Sequence, residues 1–165
     1  MNTSIQNLNQ ALAFQLEGVY EVVKQLQTDI SKVSKSIEDH EIRTVFNDYR
    51  RSLADQRLKL KRIFGYLLNG PYGRKTNHSI AGWDEITERD MLPRLRDILY
   101  SSSLQQAIQY MTTAYTDARY VAMRIDLGIV VRLIDEILDE EEKFAQSIKR
   151  LSSTHVNQAC LLTTN

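Results

Sequence analysis

The sequence predicts an all-α protein built as an antiparallel four-helix bundle with one long crossover connection. Three observations carry this. Apolar residues recur at alternating steps of four and three in four separate runs, the pattern of helices packed against other helices. Two of the breaks between runs are only a few residues long, whereas the middle one occupies 70–102. The whole chain of 165 residues has two prolines and six glycines, which leaves long stretches with nothing to interrupt a helix.

The first run places Leu12, Leu16, Val19, Val23, Leu26, Ile30, Val33 and Ile37 on one stripe and predicts a helix over about 4–37. The short break at 38–41 allows only a helical hairpin, so the second helix returns antiparallel beside the first. That helix, about 41–69, carries Ile42, Phe46, Tyr49, Leu53, Gln56, Leu60, Ile63 and Leu67, and ends at Asn69-Gly70-Pro71. The crossover, 70–102, opens with turn residues and then suggests one or two short helices broken at Pro93. Leu104, Ile108, Met111, Tyr115, Ala118, Ala122 and Ile125 predict a third long helix over about 103–126, with Ser101 to Ser103 read as its cap. Gly128 marks the turn into the fourth, about 129–152, whose stripe is Val130, Ile134, Ile137, Glu141, Phe144, Ile148 and Leu151. The polar stretch 153–165 reads as a C-terminal tail outside the bundle.

The totals exclude several classes. Lys plus Arg and Asp plus Glu are 21 each, so no global field draws the chain to nucleic acid or an anionic membrane. No window is apolar enough for a transmembrane helix. Cys160 is the single cysteine and cannot form an internal disulfide, and the N-terminal residues lack the blocks of a signal peptide; a cytoplasmic location is expected. No phosphate loop, Cys-x-x-Cys pair, nucleophile elbow or Ser-His-Asp order is present, and no catalytic residue is nominated.

Hairpin, long crossover, hairpin is the ferritin-like connectivity. Within it, Leu16, Tyr20-Glu21 and Lys24-Gln25-Leu26, then Ile42 and Phe46, Ile63-Phe64 and Leu67, Tyr115 and Tyr120, and Leu138-Asp139-Glu140-Glu141 resemble the bacterial YciE/YciF-like family of ferritin-like proteins over roughly residues 8–151. The resemblance implies a stress-related protein of unknown biochemical role and a homodimer, for which Val121, Leu133 and Val131 supply apolar residues off the seams. It also implies metal-ligand positions. The family's first-helix Glu falls at Val23, its second-helix His and Glu at Tyr49 and Ser52, and its third-helix motif at Thr113 to Thr116; a later Asp or His position in the fourth falls at Gln146.

A ferritin-like di-metal site needs a Glu from each of two helices and a Glu-x-x-His pair from each of the others. His40, His78 and His155 are each preceded at the third position by Ile37, Lys75 and Ser152, so the chain has no such pair. Glu141 is the one acid on the fourth seam and the remnant of such a site. An interior carboxylate must be paired, protonated or bound to metal. The expected solution is an interior polar layer in which Glu141 bonds to Tyr20, Tyr49, Gln56 or Tyr115, with no cofactor bound. The alternative is a divergent di-iron or metal-handling protein with a non-standard site around Glu141 that recruits Glu17, Asp48 or Asp117.

Two charge runs remain. Residues 50–62 carry six bases and one acid, and 135–142 carry six acids and no base. They read as solvated faces, or as faces that complement each other in the bundle or across a dimer; a DNA-coating role for the first is a weaker alternative. Trp83, Tyr66, Tyr72 and Tyr100 around the crossover read as a cap on the bundle or a partner surface.

Overall fold

A computed structural model of the chain describes residues 4–68 and 82–163. Five helices follow one another: α1 (Leu8–Val33), α2 (His40–Leu67), α3 (Trp83–Glu88), α4 (Pro93–Arg124) and α5 (Gly128–Thr163). The four long helices pack around a square in which α1 touches α2 and α4, and α5 touches α2 and α4. Neighbours run antiparallel: Lys59 meets Glu136 while Tyr49 meets Phe144, so α2 and α5 run opposite ways. Every predicted seam residue of α1 and α2 is buried, because a 4–3 repeat keeps one stripe of each helix turned to the axis.

The α1–α2 turn is fixed from a distance. Asn7 caps α1 by accepting from the Gln10 amide at 2.9 Å, and Asp39 caps α2 by accepting from the Ile42 amide at 2.9 Å. Between the helices, the amides of Glu38 and Asp39 donate to the buried carboxylate of Asp97 on α4, the latter at 2.8 Å. Burial raises the Asp97 pKa while these two amide bonds lower it.

The described residues on either side of the long connection lie at opposite ends of the bundle. Trp83 on α3 packs against Phe46 near the start of α2, ring centroids 5.8 Å apart, whereas α2 itself ends at Leu67, about 32 Å further along at the helical rise. Gly82 opens α3 with φ +60, a left-handed conformation that glycine adopts without strain. Trp83 and Tyr100 are buried, with the Tyr100 hydroxyl 2.7 Å from that of Thr87, so these two cap the bundle; Tyr66 is exposed and Tyr72 lies outside the described residues.

Several boundaries differ from the sequence expectation. The third long helix begins at Pro93, ten residues early, because proline at the first helical position costs no hydrogen bond and brings a φ already suited to a helix. Ser101 to Ser103 consequently lie inside α4 and not at its cap; the Ser101 hydroxyl is buried and donates to the Asp97 carbonyl one turn back at 2.9 Å. α1 is shorter than expected, since the chain leaves it at Val33 to make the turn. The expected tail is helical to Thr163 and continues α5 without a break, and His155 on it meets Asp39 at 3.3 Å. Leu133 is buried in the core, so it is not spare for a dimer contact, while Val121 and Val131 are partly buried against the same core.

Candidate functional site

The seam position of Glu141 puts its side chain on the bundle axis with 0% exposure. Two residues of α2, seven apart and thus on the same stripe, reach it. The Tyr49 hydroxyl lies 3.1 Å from Oε1 and 2.9 Å from Oε2, and the Gln56 side-chain amide donates to Oε1. The Gln56 carbonyl oxygen in turn accepts from the Tyr115 hydroxyl on α4 at 3.0 Å. Orientation therefore passes from helix to helix: Tyr115 sets the Gln56 amide so that its nitrogen faces the carboxylate.

Electrostatics follow from burial. Desolvation raises the Glu141 pKa from 4.5 to about 7; the bonds from Tyr49 and Gln56 oppose this, and neighbouring Glu140 adds to it. Tyr49 and Tyr115 are pushed well above 10, first by burial and then by the charge of Glu141, so both remain neutral hydroxyl donors.

The structure brings together Tyr49, Gln56, Tyr115 and Glu141, and leaves Tyr20 apart. Tyr20 packs edge-on against Phe64 with centroids 5.9 Å apart, and Lys24 and Arg57 lie over its ring at 5.6 and 5.8 Å. Its stripe on α1 faces the α2 edge, so its ring serves cations and not the carboxylate. The position three residues after Glu141 is Phe144, whose ring packs on Tyr49 at 5.1 Å. Gln146, by contrast, is exposed and bonds to Glu142 at 2.9 Å, which rules it out as an interior position. Val23 is fully buried and Ser52 half-buried.

The acids named for a shifted site are scattered. Asp48 is exposed and paired with Arg51 at 3.1 Å, Asp117 is exposed, and Glu17 is buried in α1. His40 is exposed at the start of α2, His155 lies on the last turns of α5, and His78 falls outside the described residues. Among the described residues, no three of His, Cys, Asp and Glu gather as metal ligands would. The basic and acidic runs meet where Lys59 lies 3.6 Å from Glu136, joining α2 to α5. Asp97, which sequence reasoning did not single out, carries no signal in the sequence, because its partners are backbone amides invisible to any motif.

Comparison with known proteins identifies the family and the fold. The family model described as a domain of unknown function, DUF892, matches residues 7–161. The chain belongs to the DUF892 family. Among solved structures, the DUF892 chain is similar to the Escherichia coli stress protein YciF, with TM-score 0.81 and 16% identity over 93% of this chain and 99% of that one. It is likewise similar to YcfI, a proposed structural protein of Rhodopseudomonas palustris, with TM-score 0.82 and 18% identity over 90% and 97%. A third is a Xanthomonas campestris protein, with TM-score 0.78 and 12% identity over 96% and 100%. No curated protein matches the chain in sequence. Among the described residues, no helix of this DUF892 chain is long and apolar enough to cross a membrane.

Proposed function

We infer that this chain is a non-enzymatic member of its family, a structural or interaction protein of a stress response in which a hydrogen-bonded layer replaces the di-metal chemistry of the ferritin-like fold. One observation carries the reading: Glu141 is fully buried, and neutral donors on α2 fill its oxygens. Two hard divalent ions need several carboxylates and imidazoles turned inward. The residues around Glu141 are instead two phenols, an amide and the Phe144 ring, and the Gln56 amide presents N–H and not oxygen to the place a cation would take. The donor set does not fit a metal pair. What it does suit is register, because a buried polar group satisfied by only one alignment of helices penalises every other alignment. The stress role rests on the likeness to YciF.

The test is an anaerobic ferrous-iron titration of metal-free protein, followed by desalting, metal analysis and an oxygen-consumption assay. The expected result is no retained iron and no oxygen uptake. Two irons held per chain with oxygen consumed would replace this reading with a divergent di-iron protein. The homodimer implied by the family is part of the same proposal, with exposed Leu92, Leu95 and Leu99 on one face of the start of α4 as apolar surface available to it. Sedimentation equilibrium should then give twice the 19.1 kDa chain mass.

A further inference from the structure

The hairpin of α1 and α2 carries a feature that the layer does not use. Between the two helices lies an open groove of about 580 Å³, walled by Lys24 and Lys32 on one side and Arg50, Arg51 and Arg57 on the other. Its remaining lining is Gln, Thr, Ser and Ala, with no carboxylate. Five cations thus converge from two helices that only the hairpin brings together.

Their charges are not all spent locally. Lys24 pairs with Glu21 at 3.2 Å and Arg51 with Asp48 at 3.1 Å, both short-range partners outside the groove lining. Lys32, Arg50 and Arg57 form no salt bridge among the described residues, although Asp29 lies near enough to Lys32 to feel its charge. Arg57 is held in place: its Nη1 donates to Gln27 Oε1 across the groove at 3.0 Å, and its guanidinium lies over the Tyr20 ring. Its buried Nε finds no acceptor. An arginine fixed by an aromatic ring and a neutral amide keeps its charge for a ligand and loses little entropy on binding one.

Dimensions select the ligand. Lys24 to Lys32 spans about 12 Å at the helical rise, and Arg50 to Arg57 about 10 Å. A nucleic-acid strand, with a phosphate every 3.4 Å or so, would meet only a few charges here. The chain's net charge of zero supplies no global field to hold a longer strand, and Glu21 and Asp48 flank the groove cations. Planar guanidinium forks together with lysine point charges suit phosphoryl oxygens.

We propose that the α1–α2 groove binds a compact polyphosphate anion, a linear chain of two or more phosphoryl groups, either free or esterified to a nucleoside. Isothermal titration of the full chain at low salt, with inorganic tripolyphosphate, magnesium-free ATP, orthophosphate and a single-stranded oligonucleotide as probes, tests it. The expected result is one tripolyphosphate per chain, bound roughly tenfold or more tighter than orthophosphate. ATP binding equal to tripolyphosphate would identify the free chain as sufficient; tighter ATP binding would identify the nucleoside ester. Lys32→Ala combined with Arg50→Ala should weaken tripolyphosphate roughly tenfold with unchanged circular dichroism, and Lys143→Ala combined with Arg150→Ala on α5 should leave it as it was. No saturable heat, an equal loss in the α5 control, or an oligonucleotide binding tighter than tripolyphosphate would each overturn the proposal.

Discussion

A carboxylate without exposed surface costs several kcal/mol unless its oxygens are filled, and Glu141 has both filled by groups that are themselves positioned. Removing the acid alone therefore orphans two buried donors. Glu141→Leu should lower unfolding free energy in urea by about 1–3 kcal/mol, and adding Gln56→Leu, Tyr49→Phe and Tyr115→Phe should restore part of that loss, because no polar atom of the layer is then left unmatched. Unchanged stability in the single variant would mean that the acid is merely tolerated. The raised pKa adds a pH dependence of defined sign. Between 4.5 and about 7 the folded chain holds a proton on Glu141 that the unfolded chain has released. Stability is thus highest at the acid end of that window, falls as pH rises through it, and is flat above it, a loss of roughly 3 kcal/mol if this group acted alone. Urea titrations across the window should show a slope in the wild type that is clearly shallower in Glu141→Gln, the remainder coming from raised carboxyls such as Asp97. The sequence revealed Glu141 because a single acid interrupts an apolar stripe, and Tyr49, Gln56 and Tyr115 because they share the corresponding stripes. Tyr20 lies one residue off the α1 stripe, beside Val19, and faces Phe64 and Arg57 at the level of Gln56; being aromatic and close to the seam did not place it on the side of the carboxylate.

At the scale of elements, the helices were legible wherever the repeat ran and illegible where it stopped. Pro93 reads as a breaker in any sequence, and only the packing of the first turns of α4, with Asp97 and Tyr100 buried, shows that it starts the helix. The end of α5 is similar: residues past Leu151 lose the seam and are mostly weak helix formers such as Ser, Thr, His, Val and Asn, so nothing in the sequence signals the helix, which continues past the contact of His155 with Asp39. Asp97 is the most consequential element contact that no pattern exposed, since it joins the first hairpin to the second through backbone amides. Asp97→Ala should lower thermal stability by about 2 kcal/mol, as two amides and the turn they belong to lose their acceptor. A shift below a few tenths of a kcal/mol would show that water serves the turn equally well.

Across the whole molecule, the crossover decides cooperativity. Trp83 is the chain's single tryptophan, and it sits in the short α3 between Phe46 of the first hairpin and the start of the second. Its fluorescence therefore reports the docking of the connection, while circular dichroism reports the long helices. The two transitions should coincide in urea; a fluorescence change that precedes the helical signal would make α3 a separately melting segment. The basic groove also belongs to this scale, because the run at 50–62 supplies only one wall and the hairpin supplies the other. Net neutrality hid it, as charge sums ignore which faces meet. The Asp97 anchor has one more consequence, for the rates at which amide hydrogens exchange with solvent. Turn amides ordinarily exchange within seconds, yet those of Glu38 and Asp39 bond to a carboxylate buried on another helix, so they open only when α4 separates from the first hairpin. They should be the slowest-exchanging amides of any turn in the protein, and a direct readout of the event that parts its two halves.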